Sequence, residues 1–173
     1  MALCATLSGL TLDCRDNVGG IEAVYIQGAS GSIAASGTDG VIALTSISLD
    51  GTPLTGGLSD LELYECVKQT GALTETGTMS DENGTVFYTA VASTVFNKVT
   101  GAKLAELQNL AISSKLCVIV KDNNGKYWLV GNDRGAVVSA STVETGTAYG
   151  DRNGMTIEFT GIDNTPMLEV TVA

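Results

Sequence analysis

The stretch from Thr85 to Gly131 constrains the fold most. It holds in one run a strand pattern (TVFYTAVASTVF), a helix pattern (TGAKLAELQNLAIS) and a tight hairpin pattern (LCVIVKDNNGKYWLVG). Val86, Tyr88, Ala90 and Ala92 alternate with Phe87, Thr89, Val91 and Ser93. Both faces are largely apolar, which predicts a strand covered on both sides. Leu104, Leu107, Leu110 and Ala111 recur at helical spacing and give one apolar stripe. Thr100 is placed to cap the helix start, and Lys115 to sit near the negative end of its dipole. Asp122-Asn123-Asn124-Gly125 lies between two apolar runs. Asn and Gly tolerate the positive φ that primed hairpin turns require. The expected core is a sheet with this one helix laid against it.

The rest of the chain reads as strands and turns. Its 173 residues suit a single domain over 1–173. Gly is frequent and Pro rare, 21 residues against 2, beside many Thr, Val, Ser and Ala, which favours strands over helices. Ile21–Gln27 and Val41–Leu49 read as strands; the small, polar stretch 28–40 between them reads as a flexible loop or a pair of short strands that order only against a partner. Leu58–Gln69 alternates, with Leu61, Leu63, Glu65 and Val67 on one face and Glu62, Tyr64, Cys66 and Lys68 on the other. It is expected to pair with the strand from Thr85, making a long hairpin. The polar 70–84 connection reads either as an ordinary surface loop or as an arm that orders against a neighbouring subunit. On the second reading, removing Gly71–Asn83 should leave the domain folded and block assembly. Three more strands are expected over Ala136–Val143, Met155–Thr160 and Pro166–Val172. About nine strands and one helix are the pattern of a mainly β protein: a β-sandwich or barrel with one flanking helix and a long hairpin arm.

Composition excludes several chemistries. With no histidine in the chain, Ser-His-Asp and Cys-His arrangements cannot form. Cysteines 4, 14, 66 and 117 contain no CxxC pair, so no zinc site is expected. Cys66 and Cys117 read as buried small hydrophobes, and Cys4 and Cys14 as reduced thiols able to pair under oxidant. Aromatics make up 5% of the chain and none clusters beside a carboxylate pair, which argues against a glycosidase. The Asp122 turn lacks the downstream glutamate of a calcium loop. Gly146, Gly150 and Gly154 do not open a helix after a strand, so they form no phosphate loop. Thr147–Gly154 reads as a sharp turn that needs only glycine for positive φ and Asp/Asn for local backbone hydrogen bonds, with a subunit-contact loop as the alternative. No enzyme activity and no cofactor are expected. No apolar run is long enough to span a bilayer, and the N-terminus lacks the pattern of a cleaved signal. A net charge of −10 cannot hold nucleic acid by neutralising phosphates; its commoner meaning is solubility, and the alternative is a surface along which DNA slides.

Two regions carry a resemblance. LDCRDNVGGIEAVYI near the start resembles structural proteins of phages and prophages of Bacteroidetes-type bacteria, as does the run from LCVIVKDNNGKYWLVG through GTAYGDRNGMTIEFTGIDNTPMLEV. Among these the pattern looks most like a tail tube protein. The resemblance implies a sandwich or barrel whose copies form rings, usually hexameric, that stack into a tube. Inner sheets would join into one barrel around a lumen through which DNA passes without specific binding. Implied partners are further copies of the chain and other tail proteins, with no membrane anchor. The implied place is the virion tail, assembled in the host bacterial cytoplasm. Glu62, Glu65, Lys68, Thr89 and Ser93 are then candidates to face the lumen. Thr74, Thr76, Met79, Tyr149, Asp151 and Arg152 are candidates for subunit contact. The alternative is another virion component, such as a capsid decoration or head–tail joining protein; a secreted adhesin subunit ranks below it.

Overall fold

The computed structural model describes residues 10, 16–30, 33–35 and 40–172. Cys4 and Cys14, most of the first eighteen residues and part of the 28–40 loop lie outside the described residues. In chain order the strands are β1 (Ile21–Gly28), β2 (Ile33–Ala35), β3 (Val41–Ala43), β4 (Ile47–Leu49), β5 (Thr52–Pro53), β6 (Glu62–Glu65), β7 (Ala72–Ser80), β8 (Thr85–Asn97), β9 (Leu116–Asp122), β10 (Tyr127–Val130), β11 (Ala136–Glu144), β12 (Gly154–Asp163) and β13 (Leu168–Thr171). One α-helix, α1 (Gly101–Ile112), joins β8 to β9, and short 3-10 turns occupy Leu44–Ser46 and Gly57–Asp60.

The protein is mainly β, a sandwich with one flanking helix. Its large sheet runs β3-β13-β10-β9-β11-β12-β8-β7, with β1 on β9 and β6 beyond β1. β9 and β11 share only the pair Leu116↔Ala136, so the sheet divides there into two leaves. The central leaf is β6-β1-β9-β10-β13-β3 and the outer leaf is β7-β8-β12-β11. Between them, Val24, Ile26, Leu116, Val118, Val120 and Val130 meet Ala90, Ala92, Phe96, Met155, Ile157 and Phe159. On the opposite face of the central leaf, Cys117, Ile119, Leu129, Ile42 and Val170 pack against Ile33, Ile47, Leu44 and Leu54 of the small β2-β4-β5 region.

β9 is therefore apolar on both faces because both are covered. Its side chains from Leu116 to Val120 are fully buried, each stabilising by about 1.5–3 kcal/mol where the side chain is large. In β1 a bulge between Ile21 and Ala23 lets Ile21 and Val24 share the inter-leaf core. Where β10 crosses to β11, Gly131 and Gly161 approach backbone to backbone. A Cβ on Gly161 would stand 2.6 Å from the Gly131 nitrogen. The Asp163 carboxylate fixes this corner by accepting from Asn132 N at 2.6 Å.

Several expectations are corrected. Leu58–Gln69 does not pair along the strand from Thr85. Its regular part is only β6, which pairs with β1, and β8 takes β7 instead. The threonines of ALTETGTMS are β-branched and suit a strand, so the turn shrinks to Asp81–Gly84. Leu63 is exposed, whereas Tyr64 and Cys66 turn toward the inter-leaf core. β8 is covered on both sides only near its C-terminal end, since Thr85, Val86 and Phe87 are exposed. Val41–Leu49 is broken by the Leu44–Ser46 turn. Among the described residues thirteen strands form where about nine were expected. Thr100 does cap α1, its Oγ1 accepting from Lys103 N at 3.3 Å. However, Leu110 alone of the stripe is buried, Leu107 is half-buried against the inter-leaf core and Leu104 is exposed. Its last turn holds no basic residue; Ser113 closes it by donating Oγ to the Asn109 carbonyl at 2.9 Å. The β9–β10 turn forms where expected, yet only Gly125 has positive φ, at 78°. Asp122 replaces the primed geometry, taking Asn124 N and Lys126 N on Oδ1, each at 2.9 Å, and Trp128 Nε1 on Oδ2 at 3.1 Å.

Candidate assembly surface

The outer leaf carries a face whose residues stay at least partly exposed along most of its length; of its side chains only Val95, near one end of β8, is buried there. Alternate residues of each strand point away from the core: Thr74 and Thr76 on β7, Thr89, Val91 and Ser93 on β8, Thr156, Glu158 and Thr160 on β12, Ala140 and Thr142 on β11. Their cross-strand neighbours put them in one field: Thr76 opposite Thr89, Val91 opposite Thr160, Ser93 opposite Glu158, Thr156 opposite Thr142. The surface is made mostly of small hydroxyl and methyl groups, with the larger exposed side chains Val137 and Ile162 at its margin. None of the four strands contains a lysine or an arginine. Glu75 and Asp163 point to the core side, where Glu75 Oε1 accepts from Met167 N at 2.7 Å. The open field thus carries Glu158, and Glu144 at its end, paired with Arg152 at 3.5 Å.

The same leaf ends in two unpaired edges. Beyond Ala136, β11 has no ladder partner except β12, and β7 has none except β8, among the described residues. Backbone directions follow from one hydrogen bond. Val67 N reaches Val95 O from the β7 side, so odd-numbered residues of β8 turn their amides toward β7. The pairs Thr74↔Val91 and Thr76↔Thr89 are then the mutually bonded ones, and Leu73, Glu75, Gly77 and Met79 turn their amides outward. Carried across β12, the same alternation leaves Ser141 and Val143 of β11 facing outward. β7 and β11 are antiparallel to each other, so both edges can accept one more antiparallel strand. Neither carries the lysine, proline or short length that usually protects an edge.

The residues singled out from sequence divide between regions. Thr89 and Ser93 lie on the open field, and so do Thr74 and Thr76, assigned from sequence to a different role. Glu62, Glu65 and Lys68 lie elsewhere, on β6 and the turn after it, because β6 belongs to the central leaf. Lumen and contact candidates therefore do not separate as expected. Met79 stands on the β7–β8 ribbon beyond its last β12 pair, Tyr88↔Asp163, with Val86 and Phe87 also exposed. Tyr149, Asp151 and Arg152 sit in the β11–β12 loop. Two backbone hydrogen bonds, from Ala148 and Thr147, hold the Asp151 carboxyl below the usual aspartate range. Sequence reading missed Glu158, Thr160 and Thr142. The alternation in MTIEFT and ASTV was visible, but not the strands beside them.

Burial pushes the Cys66 thiol up to about 11 and that of Cys117 up to about 12, so neither is a ready nucleophile. Burial, and then the Glu106 carboxylate that accepts from its hydroxyl at 2.5 Å, raise the Tyr64 phenol. No cluster of metal-ligating side chains occurs among the described residues. No helix among them is long and apolar enough to cross a membrane. No family model and no curated protein matches the chain.

Proposed function

We propose that this protein is a virion structural subunit that self-assembles into rings, the rings stacking as a phage tail tube through which DNA passes. The observation that carries the reading is the outer leaf, with its two unpaired antiparallel edges on β7 and β11. Edge strands that would invite aggregation in a monomer become the joining surface when each edge meets the other kind on the next copy. Such a head-to-tail contact is heterologous and closes into a ring if the rotation permits. The outer leaves then form one barrel wall, four strands from each copy. Pairing outward Glu75 or Gly77 with outward Ser141 or Val143 keeps Thr74 and Thr76 on the same face as Thr142. The open field would line the lumen with hydroxyls and the Glu158 carboxylate. A wall whose strands lack Lys and Arg gives DNA no cation to bind. The exposed ribbon end at Met79, Val86 and Phe87 is suited to reach the next ring.

Proline at an outward amide removes only an outward hydrogen bond. Gly77→Pro on β7 and Ser141→Pro on β11 should each stay monomeric where the parent protein forms rings or tubes by negative-stain electron microscopy. Mixed, the two variants should give a discrete dimer, since each retains one competent edge. Tubes from either single variant would defeat the reading. Rings that never stack would favour a head–tail joining role.

A further inference from the structure

We propose that the loop between β11 and β12 is a second subunit contact, docking Tyr149 of one copy on the Val67–Thr70 turn of the next. This rests on the ring reading above and specifies a partner surface for it.

The loop is built in advance. Asp151 Oδ2 accepts from Thr147 N at 2.8 Å and Ala148 N at 2.7 Å, and Asp151 N returns a bond to Ala148 O at 3.0 Å. At its base Asn153 holds the chain after β8, taking Lys98 N on its carbonyl at 2.7 Å and Val99 N on Oδ1 at 2.9 Å. This frame holds out Tyr149, whose side chain is fully exposed among the described residues. A tyrosine on a rigid loop loses little conformational freedom on binding, and such residues are the usual anchors of interfaces.

Topology supplies the partner. Glu144 is opposite Gly154, Gly154 opposite Asn97, and Ala72 opposite Ser93, so the end of β11 and the start of β7 lie at the same end of the leaf. When β11 of one copy takes β7 of the next, the 145–153 loop arrives beside the residues that lead into β7. Those residues form another fixed turn: Thr70 Oγ1 donates to Val67 O at 2.7 Å and Gln69 is held at φ 61°. The turn rims a concavity of about 840 Å³ that also contains Leu63, Glu65, Cys66 and Tyr25. Charge is complementary. Arg152 and Glu144 form a loose exposed pair at 3.5 Å, and the facing segment offers Glu65 and Lys68, both exposed. Joined, the four alternate in sign; such networks hold better than isolated surface pairs. Glu65 and Lys68, which the sequence reading placed in the lumen, thereby become contact residues.

Disulfide trapping tests this in the full chain with Cys4, Cys14 and Cys66 changed to serine. One variant carries Thr142→Cys with Thr74→Cys or Thr76→Cys. These are non-bonded cross-strand positions, close enough for a disulfide if the edges pair. A second variant carries Tyr149→Cys with Gln69→Cys. Oxidation should give ladders of covalent oligomers from both. A ladder from the edge pair without one from the loop pair overturns this inference and leaves the ring reading standing. Absence of both ladders overturns both. Separately, Tyr149→Ala should raise the concentration needed for assembly at least about tenfold. Arg152→Glu should raise it too, and adding Glu65→Arg should restore it; an unchanged threshold in Tyr149→Ala counts against the contact.

Discussion

Two hairpins of this protein use the same antiparallel ladder to opposite ends. β9–β10 lies inside the central leaf, flanked by β1 and β13, with Leu116 to Val120 fully buried on both faces. β7–β8 lies at the margin of the outer leaf. Leu73 touches the core, the β7 threonines face outward and the ribbon end is exposed on both sides. The first hairpin has spent its hydrogen-bonding and apolar capacity within the chain. The second retains an unpaired edge and three exposed apolar side chains at its end. Stability and association are thus assigned to different hairpins, and substitutions in one should not mimic those in the other.

The largest contrast is expected from side-chain truncation. Ile119→Ala should cost about 2–5 kcal/mol in urea unfolding, because a cavity opens in a packed core. Val86→Ala at the exposed end of β8 should stay within about 0.5 kcal/mol. Trp128, the only tryptophan, reports both. Equal effects would mean that the β7–β8 ribbon is as much a part of the core as β9. A smaller contrast separates the turns. Asp122→Ala leaves two amides and the Trp128 indole without their acceptor, and should cost about 1–3 kcal/mol. Asp81→Ala, in the exposed β7–β8 turn, should change stability by less than about 0.5 kcal/mol.

The buried hairpin was also the more legible in sequence. LCVIV has no polar residue to assign to a solvent face, and Asp-Asn-Asn-Gly marks its turn, so both strands and their pairing could be read. β7 is different. ALTETGTMS has few large apolar residues and a glycine, so it resembles a polar connection until the neighbouring β8 is known. That missing partner misdirected the search for the wall strand to β6, whose alternation is cleaner but which pairs with β1 through Ala23–Ile26. The consequence is practical. Deleting 71–83 strips the whole β7 ladder from β8, together with Leu73 and the Glu75–Met167 bond, and does not merely shorten a loop. Edge status, which carries the functional reading, has no local sequence signature because it depends on which strands are absent.

The β11–β12 loop allows the finest test, since it too is organised around one aspartate. Unlike Asp122, Asp151 is fully exposed, and its ordering of the chain is a local matter of two backbone donors. Those donors favour the ionised carboxylate, so its folded pKa lies below that of the unfolded chain. Its contribution is complete above the unfolded value and is lost as pH falls through the depressed folded one. Carboxyl and amide NMR shifts should show Asp151 titrating below the ordinary aspartate range, with Thr147 and Ala148 amides moving at the same midpoint. Asp151→Asn should abolish that coupled step while leaving β9–β10 untouched. A midpoint at or above the ordinary range, or amides that do not follow it, would mean the loop is held by something other than Asp151. Tyr149 would then lack the rigid mount on which its docking depends.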